Sequence, residues 1–165
     1  MISQRVHQAL NEQIAYEFHA SFVYLSMAAY FDTQNLPGFA RWMRVQSEEE
    51  MKHAMKFFDF ILDRNAKVSL QALPQPPVDF ASAEEVFQKA LEHEQKVTGL
   101  INRIYQMAVE DNDYPTQVML HWFIEEQVEE EKNVGQVLET VKMAENRAWS
   151  LLILDRQMGQ REDEH

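Results

Sequence analysis

The segment FARWMRVQSEEEMKHAMKFFDF, residues 39–60, carries apolar side chains at helical spacing on both sides of an acidic centre. Alternating steps of four and three residues select, in order, Phe39, Met43, Gln46, Glu50, His53, Phe57 and Phe60. In an amphipathic helix these positions share the face that packs into the core. The pattern therefore places Glu50 and His53 in the core at mid-helix, where an unpaired charge costs several kcal/mol or forces a raised carboxyl pKa.

The rest of the chain repeats this helical periodicity. The pattern predicts four long helices and a short fifth one, at about 3–35, 37–65, 83–111, 115–145 and 147–158. Pro37 and Pro115 suit the first turns of the second and fourth helices, and Ser82 to Glu85 reads as a capping box that opens the third. The residues after the fifth helix, GQREDEH, form a polar tail.

The lengths of the connections constrain the topology. The first and second helices are joined by a short link, as are the third and fourth, so each pair is expected to form an antiparallel hairpin. The link between the second and third helices has about 17 residues and can span ~55 Å, more than the ~42 Å length of a 28-residue helix. The sequence therefore predicts an all-α fold of one domain over residues 1–165: a four-helix bundle with one long crossover, left-handed because the apolar period is near 3.5.

Each long helix interrupts its apolar stripe with a glutamate near mid-length: Glu17, Glu50, Glu94 and Glu130. Midpoints of packed helices of similar length lie at one level, so these four carboxylates are expected to converge in the core, with His53 one turn away. No lysine or arginine occupies a stripe position to neutralise them. Two divalent cations would balance four carboxylates, and oxygen ligands with one imidazole suit iron or manganese better than soft metals.

Composition excludes several other classes of function. The chain has 27 acidic and 15 basic residues, a net charge of −12, which disfavours a nucleic-acid partner. There is no cysteine, which excludes disulfides and thiol catalysis. No apolar run approaches the ~18 residues of a membrane span, and the amino-terminal segment lacks a signal-peptide core, so a cytoplasmic protein without membrane contact is expected.

Taken singly, the motifs have ordinary structural explanations. A lone Glu-x-x-His arises by chance on surface helices, and EEQVEEE (125–131) is typical of a solvated face. Tyr24 alone would be a core aromatic with a hydrogen-bonded hydroxyl. The remaining histidines are expected at the surface or at an interface: His7, His19, His93, His121 and His165. The coincidence of four mid-helix glutamates favours the metal site.

With these residues in place, the sequence resembles the ferritins over nearly the whole chain, and specifically the non-haem bacterial type. Di-iron proteins of this fold take one glutamate from each of two helices and a Glu-x-x-His pair from each of the other two. Glu17 and Glu94 match the single positions, and Glu50 with His53 matches one pair. The second pair departs from the pattern because it is Gln127 with Glu130, an asymmetry that resembles ferritin rather than bacterioferritin.

The resemblance implies a role for each matched residue. Glu17, Glu50 and His53 would hold the first of two iron ions per subunit, and Glu50 would bridge to a second ion held by Glu94 and Glu130. Gln127 would lie beside this pair. Tyr24 would also lie there as a possible electron donor, with Trp122 as another nearby aromatic residue. A possible third iron position is implied at Glu49, Glu126 and Glu129, with Glu130 shared.

The resemblance also implies an activity and an assembly. The expected reaction is a ferroxidase reaction that oxidises Fe(II) with dioxygen or peroxide, and the expected assembly is a homo-oligomeric shell of 24 subunits that stores ferric mineral. Animal ferritins carry acidic residues of an iron-access channel where this chain has Gln117 and Leu120. Met51 occupies the position of the haem-ligating methionine of bacterioferritins, but haem is not expected because it needs a matching pocket on a partner subunit.

Three rival functions remain open at this point. A di-iron oxygenase or peroxidase would share the fold, although a short chain leaves little material for a substrate pocket. A miniferritin would build its site between two subunits, whereas four helices of one chain contribute here. A metal-free structural bundle would use the buried glutamates only to fix helix register.

Overall fold

The computed structural model describes residues 1–162, and its helices form a four-helix bundle with a short fifth helix at one end. They are α1 (Gln4–Thr33), α2 (Pro37–Asp63), α3 (Ala83–Glu110), α4 (Tyr114–Met143) and α5 (Ala148–Met158). The prediction of an all-α bundle is confirmed. None of the helices found in residues 1–162 contains an apolar stretch that could span a bilayer.

The crossover between α2 and α3, residues 64–82, follows α1 along its length. Asn11 near the start of α1 accepts a hydrogen bond from the backbone N–H of Ser69, and Ser26, fifteen residues further along α1, donates one to the backbone carbonyl of Pro77. At 1.5 Å per residue this stretch of α1 covers roughly 22 Å. The crossover therefore runs beside α1 and in the same direction, which makes α2 and α3 parallel to each other.

Two apolar clusters lie in the bundle. One cluster contains Phe31, Phe39 and Phe87, and the Phe31 and Phe39 rings stack with 4.9 Å between centroids. The other contains Phe57 and Phe123, which stack at 4.1 Å. We call them the Phe39 cluster and the Phe57 cluster. The sequence positions of their members on each helix place the mid-helix glutamates between them.

The helix ends show why the chain turns where it does. The capping box at α3 forms in part: the Ser82 hydroxyl accepts from the Glu85 N–H at 3.2 Å, whereas the Glu85 carboxylate accepts from Ala81 rather than from Ser82. An asparagine with positive φ follows each of the four long helices: Asn35, Asn65, Asn112 and Asn146. Asparagine tolerates this left-handed conformation better than most residues, so it ends helices much as glycine does.

The fifth helix packs closely on the start of α2. The buried carboxylate of Asp155 accepts a hydrogen bond from the Phe39 N–H at 2.9 Å, in the first turn of a helix whose own cap residue, Leu36, supplies no side-chain acceptor. A Cβ on Gly38 would lie only 1.6 Å from the Asp155 carbonyl oxygen. Glycine at this position is therefore what lets the two helices approach.

Candidate metal centre

Four helices contribute one acidic residue each to a buried layer at the middle of the bundle. Glu17 on α1, Glu50 on α2, Glu94 on α3 and Glu130 on α4 are each no more than 4% exposed. His53 on α2 is equally buried. The structure therefore brings together the carboxylates that the four interrupted stripes placed at one level.

The ligand atoms of this layer form two overlapping groups. Glu17, Glu50 and His53 each offer an atom within 4.8 Å of the others, and so do Glu50, Glu94 and Glu130. Glu50 belongs to both groups. Because a carboxylate has two oxygens, this residue can contact a cation in each group at once.

Hydrogen bonds fix both oxygens of Glu94. The Tyr24 hydroxyl donates to one oxygen at 2.5 Å, and the Gln127 side-chain amide donates to the other at 3.1 Å. Gln127 also donates to the Thr98 hydroxyl at 3.2 Å. In this structure Gln127 therefore orients Glu94 and contacts the layer through its NH₂ group rather than through an oxygen ligand.

Two further glutamines support the site: Gln46, which was predicted only as a member of the core-facing stripe, and Gln13, which was not predicted at all. Gln13 donates to Glu17 at 3.1 Å, and Gln46 donates to Glu130 at 2.6 Å and to Glu50 at 3.3 Å. Gln13 and Gln46 precede Glu17 and Glu50 by four residues, so each shares a helix face with the carboxylate it supports. The repeated Gln-x-x-x-Glu spacing was a signal available in the sequence.

In the described part of the chain, the four buried carboxylates of the acidic layer have no cationic side chain beside them to compensate their charge. Among residues 1–162 no lysine or arginine forms an ion pair with Glu17, Glu50, Glu94 or Glu130, and one Glu17 oxygen, Oε2, is buried without a hydrogen-bond partner. Burial raises the pKa of Glu17 to about 7. It also raises the carboxyl pKa values of Glu50 and Glu130 well above the usual range, with neighbouring carboxylates adding to the effect. A partly desolvated, unpaired set of oxygens is the environment that fits hard or borderline divalent cations.

The environment of His53 keeps its imidazole neutral, which is the form that binds a metal ion. Burial, together with the charges of Lys56 and Lys52, lowers the pKa of His53 to about 4. Its Nδ1 lies 3.1 Å from Glu50 Oε2 and 4.0 Å from Glu17 Oε2, so this nitrogen faces the first group of ligands. At neutral pH the imidazole can therefore offer a lone pair to a cation.

A third group of ligand atoms lies toward the outside of the layer. Glu126 and Glu130 lie with His53 within 4.8 Å of one another, and His53 Nε2 is 4.0 Å from Glu126 Oε1. Of the other residues suggested for a third position, Glu49 is buried and forms an ion pair with Arg161, whereas Glu129 is exposed. Neither Glu49 nor Glu129 belongs to any of the three groups.

Aromatic residues enclose the histidine on its other side. The Trp122 ring meets His53 edge-on at 5.4 Å between centroids, and the Lys56 ammonium lies 3.9 Å from the centre of the same indole. Tyr24 is fully buried against Glu94, so both aromatic residues implied by the resemblance lie beside the acidic layer.

Other positions discussed from the sequence fall elsewhere. Leu120 is fully buried in the Phe57 cluster, so it does not line a surface channel, and Met51 is 49% exposed. His19 and His93 are half-buried rather than exposed, and their Nε2 atoms are buried without partners. His165 lies outside the described residues.

Comparisons with known proteins agree with this architecture. The family profile described as "Ferritin-like domain" matches residues 7–144. The chain is 37% identical to a bacterial non-heme ferritin of Bacteroides fragilis over 98% of this chain and 100% of that protein. It is 34% identical to a bacterial non-heme ferritin of Staphylococcus aureus over 98% and 97% of the two chains.

Solved structures give the same result. An open pore ferritin from the hyperthermophilic archaeon Archaeoglobus fulgidus superposes with a TM-score of 0.97 at 40% identity, covering 98% of this chain and 100% of that one. A humanized archaeal ferritin superposes with a TM-score of 0.98 at 38% identity over all of both chains.

Proposed function

This chain belongs to the ferritin family, and from that premise we propose that it oxidises Fe(II) with dioxygen at the buried acidic layer and stores the ferric product in a hollow shell of 24 identical subunits. Fe(II) is thus the substrate and stored ferric iron is the product. The observation that carries the proposal is the set of four buried carboxylates, from four helices, without a lysine or arginine partner in the described chain.

The two overlapping ligand groups suit a reaction that needs two electrons. Each Fe(II) supplies one electron and dioxygen accepts both, so two metal positions sharing Glu50 let one oxygen molecule react with both ions. His53 belongs to the first group only, whereas the second consists of carboxylates alone. We therefore expect the first position to bind Fe(II) more tightly than the second.

The hydrogen bonds around the layer preorganise the ligands. Tyr24 and Gln127 hold Glu94, Gln46 holds Glu130, and Gln13 holds one oxygen of Glu17. Side chains that are already oriented lose little entropy on binding a cation, which raises affinity and fixes the spacing of the two ions. Tyr24 is in addition close enough to act as an electron donor.

The outer acidic residues suggest a path for the product. Exposure rises from Glu130, which is 4% exposed, through Glu126, whose side chain is 28% exposed, to Glu129 at the surface. We include in the proposal a third cation position at Glu126 and Glu130, which form the third ligand group with His53, and we add Glu49 as a further carboxylate ligand, with Glu129 at the outer edge. Ferric iron leaving the paired positions would meet carboxylates at each step.

The proposed reaction is tested by mixing metal-free protein with Fe(II) in air and recording the rise of ferric absorbance. Glu50→Ala and His53→Ala should slow the initial oxidation by at least about tenfold, because each removes a ligand of the paired site. Glu48→Ala is the matched control, since Glu48 is exposed two residues before the shared ligand and lies in none of the ligand groups. Equal rates in Glu50→Ala and Glu48→Ala would rule out the assigned site.

The proposed assembly is tested separately by light scattering. A shell of 24 subunits of 19.5 kDa would have a mass of roughly 470 kDa. A monomeric chain under native conditions would contradict iron storage in a shell, even if oxidation were observed.

A further inference from the structure

Arg161, three residues beyond α5, folds back onto α2 and occupies a site made for its guanidinium group. One terminal nitrogen donates to Glu49 Oε2 at 2.8 Å, and the other donates to the Trp42 carbonyl at 3.4 Å. The guanidinium carbon lies 4.3 Å from the centre of the Trp42 ring, and Arg41 donates to the backbone carbonyl of Arg161 at 3.2 Å. The side chain is only 14% exposed, so this is a docked residue rather than a loose surface arginine.

The carboxylate that Arg161 contacts belongs to the outer part of the acidic layer. Glu49 precedes His53 by four residues, which places the two on adjoining parts of one helix face. The charge of Glu49 also acts on Glu130, whose pKa it helps to raise. Glu49 is not itself a member of the third group of ligand atoms, but its charge acts on Glu130, which is, and it thereby connects the segment after α5 to that group.

On the basis of the proposed function, we propose that Arg161 is a resident cation that competes with the third metal ion for Glu49, so that the segment after α5 regulates the third position. A guanidinium group carries a permanent single charge, and a divalent ion bound to the same carboxylate would lie within a few ångströms of it. Like charges at that separation repel strongly in a partly buried setting. A third ion therefore binds fully only when Arg161 leaves Glu49.

The guanidinium of Arg161 makes no direct contact with the ligands of the paired positions. Within residues 1–162 its hydrogen bonds and ion pair go to Glu49 and to the backbone carbonyl of Trp42, and none goes to Glu17, Glu50, Glu94 or Glu130. Removing the arginine should accordingly change the affinity for the third ion more than the affinity for the first two. The docked state keeps Glu49 charge-compensated while the third position is vacant, and the undocked state accepts metal.

The test is a calorimetric titration of the assembled full-length protein with Zn²⁺, which is redox-inert and avoids turnover. In the wild type we expect two tight ions per subunit and a weaker third. Arg161→Gln should bind the third ion roughly three- to thirtyfold more tightly, with a smaller change in affinity for the first two. Arg161→Lys keeps the charge and should stay near the wild type, and Arg156→Gln, an exposed arginine on α5, controls for the loss of one positive charge.

A double-substitution cycle ties the effect to the proposed contact. In a Glu49→Gln background, Arg161→Gln should no longer change third-ion affinity, because the two residues act through one ion pair. Trp42 gives a second readout: the third equivalent of Zn²⁺ should change tryptophan emission in the wild type as the guanidinium leaves the ring. That change should be absent in Arg161→Gln and in Trp42→Phe.

The outcomes separate this proposal from the proposed function. Unchanged or weaker third-ion binding in Arg161→Gln, with two tight ions retained, would overturn the competition and leave the ferroxidase assignment standing. Absence of the two tight ions from the wild type would instead contradict the paired site. In that case a Glu49-dependent ion that tightens on removal of Arg161 would still support the competition.

Discussion

Phe57 and Glu50 are buried to the same degree on the same helix, two turns apart, yet their surroundings differ completely. Phe57 stacks on Phe123 with 4.1 Å between ring centroids, and as an apolar side chain it requires no hydrogen-bond or charge partner in the core. Glu50 faces three other carboxylates, and burial raises its pKa well above the usual range. The apolar clusters stabilise the bundle in the absence of any ligand, whereas the acidic layer destabilises it until a cation binds.

The largest effect should come from the apolar side of this comparison. Phe57→Ala removes a fully buried ring from a close-packed stack and should lower the free energy of unfolding of the metal-free protein by about 3–5 kcal/mol. Denaturant unfolding of the metal-free form measures it. Phe58→Ala is the neighbouring control because that ring is only half-buried, and equal losses in the two variants would contradict the packing argument.

The acidic side should respond to metal instead. Adding a divalent cation at about a hundred times its dissociation constant should raise the free energy of unfolding by about 2.7 kcal/mol for one site. Glu50→Gln should remove most of that increase, because the residue belongs to both ligand groups, while leaving the metal-free form as stable or more stable. Denaturant unfolding with and without Zn²⁺ measures both the stability of the metal-free form and the increase that the metal produces. A metal-free Glu50→Gln that is clearly less stable than the wild type would show that the layer is stabilising in its own right.

A pH titration of the metal-free protein sharpens the same contrast. The pKa of Glu17 is raised from 4.5 to about 7, so its contribution to stability is fully present below about 4.5 and is lost as the pH rises through about 7. His53 acts in the opposite direction below about 6.5, since its pKa is lowered to about 4. Between pH 6.5 and 8.5 only the buried carboxylates, and not His53, still contribute to the pH dependence. The free energy of unfolding should therefore fall as the pH rises through this window.

The slope in that window should not exceed about 1.4 kcal/mol per pH unit for each proton released. Saturating Zn²⁺ should abolish it, because a bound cation favours the ionised carboxylates. Thermal unfolding across the window, with and without metal, provides the measurement. A metal-free protein that gains stability above pH 6.5 would be inconsistent with buried, unpaired glutamates.

The smallest expected effect lies at the end of the bundle covered by α5. Asp155→Ala removes the carboxylate that accepts from the Phe39 N–H and should lower stability by about 1 kcal/mol, the usual loss for a helix cap. Asp155→Asn keeps an acceptor and should recover most of it. If the alanine and asparagine variants unfold identically, the contact contributes no capping energy.

Local sequence rules predicted the helices and the acidic layer because both depend on spacing within one helix. The interrupted stripe identified Glu50 and His53, and midpoint geometry brought in the glutamates of the other three helices. The observed helix ends agree with the predicted ones to within a few residues, and an asparagine with positive φ follows each long helix. The same rules explain why Gln46 was recognisable in principle, since it lies four residues before Glu50.

Contacts between distant segments were not predictable in this way. Asp155 meets the Phe39 N–H across 116 residues, and Arg161 meets Glu49 across 112. No spacing, charge pattern or composition in the sequence indicates either pairing. The segment after the fifth helix was therefore predicted only as a polar tail. The role of Glu129 also depended on which way an acidic run faces, and the structure places that side chain at the surface.

The contact between Asp155 and the first turn of α2 also bears on the order in which a growing chain can mature. Ribosomes add about 5–20 residues per second, so the carboxylate 116 positions downstream emerges on the order of ten seconds after the N–H that it serves. Until then α2 begins without this acceptor and Gly38 is not covered by α5. This end of the bundle is therefore completed only after the chain has been synthesised beyond Asp155, long after the α1–α2 hairpin can form.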